Sequence, residues 1–163
     1  SYKLFDGTFT QENYYKMLVV NHQFIKAYET EILSYLNDSD KELLNQINFD
    51  KLSLIEKDLI ELNLSPNDVG SINHLNNRAE ALGALYVIEG SMLGGMVIAK
   101  QLKKYPELET ASFNYFGHYG KDIGPIWKVF VNYLNEQLTD KNDQSDTLKG
   151  AIKAYQYLIA SAS

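Results

Sequence analysis

The run from Ala81 to Lys104, ALGALYVIEGSMLGGMVIAKQLKK, limits what this chain can fold into more than any other stretch. It is apolar through most of its length, yet it holds four glycines, Gly83, Gly90, Gly94 and Gly95. Each mid-helix glycine costs about 0.8–1 kcal/mol relative to alanine, so four in one helix cost roughly 3–4 kcal/mol. Such a helix needs its backbone bare. Gly83, Gly90 and Gly94 are spaced seven and four apart, which puts them on one stripe, and Ser91, Gly95 and Ala99 extend a small-residue strip beside it. Three readings compete: close helix packing, a membrane span with a GxxxG face, or a roof over a flat ligand. Glu89 in the middle of the run would cost about 2.5–3.5 kcal/mol at a bilayer centre, which sets the membrane reading well below the others.

The rest of the chain supplies helices to pack around that run. Thr10 is placed to cap a long helix from about Gln11 to Leu36, with Tyr14, Leu18, Phe24, Ile25, Tyr28, Ile32 and Tyr35 on its apolar stripe. Asn37 to Asp40 breaks it, and a short helix follows over about Lys41 to Gln46. The next covers about Ser53 to Leu62, with Ser53 and Glu56 as a capping box and Leu52, Ile55, Leu59 and Leu62 on one face. Asn73 is placed to cap a central helix from about His74 to Tyr105, closed by Pro106. Glu107 to Asp122 reads as a structured aromatic loop. A helix from about Pro125 to Gln137 carries Ile126, Val129, Phe130, Tyr133 and Leu134. Asp140 to Ser145 reads as a polar turn, and the last helix, about Asp146 to Ile159, carries Leu148, Ile152, Tyr155 and Ile159 at helical spacing. Ser1 to Phe9 reads as a loop with a turn at Asp6-Gly7, and Leu64 to Asp68 as a second turn. No segment alternates as a strand, so the fold class is all-α, a compact multi-helix bundle around the glycine-rich helix.

Composition narrows the function. At 163 residues, 45% hydrophobic and 22% charged, the chain fits one ordinary domain over residues 1–163. A net charge of −6 with no basic run argues against nucleic acid as a partner. No cysteine is present, which excludes disulfides and thiolate ligation and fits a cytoplasmic protein. His22, His74 and His118 show neither HExxH nor i,i+4 spacing, so no metal site is expected from them, and Glu29 and Glu89 lack the histidine partner of a di-metal site.

The pattern Leu82-Gly83-Ala84-Leu85-Tyr86-Val87-Ile88-Glu89-Gly90-Ser91, then Leu93-Gly94-Gly95 and VIAKQL, resembles the distal helix of bacterial haem oxygenases, especially the biliverdin-forming, bacteriophytochrome-linked branch. Tyr115-Phe116, Tyr119-Gly120, Trp127 and Phe130 extend the resemblance downstream. It implies a haem-oxygenase-like bundle in which Gly90 and Gly94 lie nearest the iron-bound oxygen. Tyr86, Ser91, Gly95, Met96, Phe116 and Tyr119 are implied to complete the haem contact. The branch carries Ser91 where the mammalian one has an acid, so that acid's proton network does not transfer. Tyr86, Tyr119, Lys121, Lys128 and the single arginine, Arg78, are open as propionate partners.

The implied reaction opens haem, both substrate and cofactor, with O₂ to biliverdin, CO and Fe²⁺. Electrons come from an external ferredoxin or reductase, and a bacteriophytochrome is a candidate acceptor of biliverdin. The family holds the iron through a histidine in a Thr-x-x-x-His-x-x-x-Glu pattern on an N-terminal helix. None of the three histidines here sits in that pattern, so the proximal ligand is expected before Ser1. The alternative is a non-catalytic haem-oxygenase-like binding or regulatory protein that lacks the axial histidine.

Overall fold

The computed structural model describes residues 10–67 and 74–162. Every regular element among them is helical. Helix α1, Gln11–Tyr35, starts at a capping box in which Thr10 Oγ1 accepts from the Asn13 amide and Asn13 Oδ1 accepts from the Thr10 amide. A second capping box, Asn37 with Asp40, starts α2, Asp38–Leu43. The polar run that reads as a breaker therefore ends one helix and begins the next. Helix α3, Lys51–Glu61, is capped by Asp50, whose carboxylate accepts from the Ser53 amide. The expected Ser53–Glu56 box is not the cap, because the helix begins two residues before Ser53.

The central run is not one helix. Asn77 caps α4, Arg78–Ser91, four residues after the expected start. A 3₁₀ turn at Met92–Gly94 then separates it from α5, Gly95–Leu102. Gly94, with φ −89° and ψ 0°, is the hinge between the two. Glycine-rich sequence inside a helix gives the tighter turn little steric opposition. Asn73, the expected cap, lies outside the described residues, as do the Asp6-Gly7 turn and the end of the Leu64–Asp68 turn.

Short 3₁₀ turns at Pro106–Leu108 and Gly120–Asp122 punctuate the aromatic loop. The loop is tied down by Asp58, whose carboxylate accepts from the Asn114 and Tyr115 amides, both at 2.8 Å. Helix α6, Ile123–Gln137, buries Phe130, Tyr133 and Leu134, while Val129 of the expected face is exposed. Helix α7, Lys141–Ser161, is capped by Asp140, so the residues read as a polar turn form its first turn.

The expected packing face of α7 is overturned. Leu148, Ile152, Tyr155 and Ile159 are all exposed, and the helix instead buries Gly150 and Ala154. The reason is steric. A Cβ on Gly150 would overlap the Glu80 carbonyl oxygen, and a Cβ on Gly83 would overlap the Thr147 carbonyl oxygen. Two helices that approach backbone to backbone must meet through their smallest residues, so the bulky stripe turns outward.

Arg78–Leu102 is long and apolar enough to cross a membrane by length and composition, but 56% of its apolar window is buried inside the bundle. The core explains its apolarity.

Candidate functional site

The four glycines of the central run divide into two pairs. Gly83 and Gly95 are bare because backbone lies against them: Thr147 on Gly83, and the Phe116 carbonyl on Gly95. Gly94 has no atom within 4 Å of where a Cβ would stand, and at Gly90 only the Trp127 ring comes near, at 3.4 Å. The second pair opens a surface rather than closing a packing contact. The packing reading holds for Gly83 and Gly95, while Gly90 and Gly94 leave the backbone uncovered by other backbone.

The opened surface is apolar. Tyr86, Leu93, Met96 and Val97 are 44%, 45%, 49% and 41% exposed, a high value for large side chains on a helix otherwise buried in the core. Tyr86, Gly90, Leu93 or Gly94, and Val97 recur at helical spacing, so they form one stripe along α4, the 3₁₀ turn and α5. Trp127 of α6 walls one side, packed 5.0 Å from the Tyr86 ring and 5.9 Å from Phe130. A flat apolar molecule meets bare peptide at Gly90 and Gly94 and side-chain carbon on either flank. The residues therefore fit one face of a haem.

Ser91 is half-buried, and its Oγ donates to the Ile88 carbonyl at 2.6 Å, within its own helix. Phe116 is buried in the aromatic cluster, 6.2 Å from the Tyr14 ring, and meets the central run through its backbone at Gly95. Tyr119 is buried too, with its hydroxyl turned into a polar node: it donates to Glu89 Oε2 at 2.9 Å and accepts from the Asn48 amide at 3.0 Å. Burial, then the Glu89 charge, pushes its phenol far above the ordinary value. Gly95, Phe116 and Tyr119 thus stand behind the stripe rather than on it.

Sequence reasoning missed that node. Lys51 Nζ forms an ion pair with Glu89 Oε1, and donates to the Asn48 carbonyl at 2.5 Å and to Tyr119 Oη at 3.3 Å. Glu29 receives the Lys51 amide at 2.7 Å and the Leu52 amide at 3.3 Å, so α1 caps α3 from outside. Burial raises the Glu29 carboxyl despite those amide bonds. His118, at the edge, contacts Asn48 Nδ2 at 3.2 Å; partial desolvation and the Lys51 charge hold its imidazole below the ordinary value. The signal was in the sequence: Glu89 in an apolar run requires a cation.

Arg78 is not free for a propionate. Its guanidinium grips Asp40, with Nε to Oδ2 at 2.8 Å and Nη2 to Oδ1 at 2.5 Å, and Tyr133 donates to the same carboxylate. None of the three histidines belongs to the stripe. His22 is buried on α1, His74 Nδ1 meets Tyr28 Oη at 3.2 Å, and His118 sits at the node.

The sequence model of the Heme oxygenase family matches residues 1–161. The chain belongs to that family. A heme oxygenase of Xanthomonas campestris pv. campestris is 36% identical over 76 residues, which is 47% of this chain and 46% of that protein. The matched segment therefore spans about half the length of that haem oxygenase. The fold agrees with the NO- and CO-bound heme oxygenase of Neisseria meningitidis at a TM-score of 0.66 and 23% identity, over 94% of this chain and 76% of that one. As a haem oxygenase family member, the chain presents its apolar glycine stripe on the helix the motif singled out.

Proposed function

We propose that this protein is a haem oxygenase in which Gly90 and Gly94 form the distal roof over haem, with Tyr86, Ser91 and Met96 beside them. The observation that carries the reading is the open, apolar backbone at Gly90 and Gly94, walled by Trp127, in a chain of this family. The reaction is oxidative opening of haem, the substrate, to biliverdin, CO and Fe²⁺, with O₂ as oxidant and electrons from an external ferredoxin or reductase. The residues' part is to bind and to exclude water. Bare peptide at two positions allows close approach, and the Tyr86–Trp127 wall and the Leu93, Met96 and Val97 side chains cover apolar ring. Gly95, Phe116 and Tyr119 act from behind, as the support of that roof.

The reading calls for an axial histidine in the family's Thr-x-x-x-His-x-x-x-Glu pattern, and none of His22, His74 and His118 sits in one. A bacteriophytochrome is the proposed biliverdin acceptor, after the motif's resemblance to that branch. A second reading, a non-catalytic haem-oxygenase-like binding protein, is favoured by one observation: His22, His74 and His118 all lie away from the stripe.

Haemin titration followed by reduction in air separates the readings. A one-equivalent Soret band that converts to a biliverdin spectrum, with imidazole added as axial donor where needed, supports the enzyme. A saturable band that does not turn over supports the binding protein. No saturable band contradicts both.

A further inference from the structure

The first turns of helix α4 are held by Arg78 on Asp40, Glu80 on Lys153 and the close approach at Gly83, all at the far end from the open glycine strip. Residues 79–85 are buried without a break, so its first two turns are covered on every side. Among the small residues there, Ala79, Ala81 and Ala84 carry a methyl group, and Gly83 has no room for one. One end of the helix is pinned where Gly83 meets Thr147 and Gly150 meets Glu80. At the other end, where the open strip begins, the pin is polar.

Glu89 and Lys51 have side chains only 2% and 3% exposed. An ion pair this deep adds little net stability over an apolar pair of equal volume. What it adds is direction. Glu89 Oε1 takes Lys51 from the start of α3, and Oε2 takes Tyr119 from the aromatic loop. Lys51 is itself held by the Asn48 carbonyl, and its amide by Glu29 of α1. Glu89 immediately precedes Gly90, so any roll that draws Glu89 off its partners turns Gly90 by the same angle.

We infer that Glu89 is a positioning residue whose bonds to Lys51 and Tyr119 fix the roll of α4, so that the bare backbone at Gly90 and Gly94 faces the ligand rather than the bundle. The consequence for haem rests on the reading proposed above; the fixing of the helix does not.

The test compares the wild type with Glu89→Gln and with the apolar pair Lys51→Met/Glu89→Leu. Amide hydrogen exchange is read over residues 90–95 relative to α7, and the C–O stretching band is read in the reduced, haem-loaded CO complex. The expected result is a folded double variant whose exchange at 90–95 rises at least about tenfold while α7 is unchanged. Its C–O band is expected to shift or split as the glycine face loses its single orientation, with Glu89→Gln changed in the same sense. Exchange and C–O band both at wild-type values in the folded variants would overturn the inference. Should the double variant fail to fold, Glu89→Gln alone decides it on the same two readings. If the wild type takes up no haemin, the haem reading fails by itself, and the exchange comparison still decides whether Glu89 fixes the helix.

Discussion

Gly95 and Gly94 are neighbours with opposite tolerances. Gly95→Ala drives a methyl group into the Phe116 carbonyl, and Gly83→Ala does the same at Thr147, so each is expected to destabilise by more than about 2 kcal/mol. Gly94→Leu enters open space and is expected to leave the melting temperature nearly unchanged while removing haemin uptake. Thermal melts of the three variants beside haemin titrations check the contrast; a Gly94→Leu protein that binds haemin as the wild type does contradicts it.

His22 gives a second test at this scale. The residue is 3% exposed, Nδ1 has no protein partner, and burial holds its pKa below the ordinary 6.5. The unfolded chain therefore takes up the proton first as pH falls. Stability is full above about 6.5 and declines as pH drops through the folded value, with a slope of up to about 1.4 kcal/mol per pH unit. Melting temperatures from about pH 7 to about pH 5 are expected to fall less steeply for His22→Gln than for the wild type. Single residues were legible only in part. Glu89 stood out as a charge inside an apolar run, but nothing local named Lys51, 38 positions away, because ion pairs across a bundle leave no spacing signature.

At the scale of elements, the caps were the legible part. Thr10 starts its helix as expected, because a capping hydrogen bond closes within three residues. The face of α7 was not legible. Leu148, Ile152 and Tyr155 have helical spacing, yet the fold buries Gly150 and Ala154, since the glycine of a neighbouring helix decides which face can approach. Leu148→Glu or Ile152→Glu is accordingly expected to change stability by less than about 1 kcal/mol, whereas Gly150→Ala, clashing with the Glu80 carbonyl, costs more than about 2 kcal/mol. Chemical denaturation of the three variants separates the faces.

A second joint between elements lies at Asp40, which ties α2 to Arg78 of α4 and Tyr133 of α6. Burial alone would raise its carboxyl, but the bonds from Arg78 and Tyr133 outweigh that and hold it below the ordinary value. Asp40→Ala leaves the partly buried guanidinium without its carboxylate and is expected to destabilise by about 2–4 kcal/mol in the same assay.

For the whole molecule, the all-α class and the special standing of the glycine run followed from sequence alone. The break at Met92–Gly94 did not, because glycine permits both one continuous helix and a 3₁₀ hinge, and the local sequence does not choose between them. The hinge leaves an apolar stripe on the surface, from Tyr86 to Val97, on the helix that otherwise forms the centre of the core. A haemin titration of the chain beside its Gly94→Leu variant, with imidazole available as axial donor, tests that stripe as the haem roof. The expected result is a saturable Soret band at one equivalent for the wild type and none for an equally stable Gly94→Leu. Equal binding by the two proteins, or none by the wild type, would contradict it.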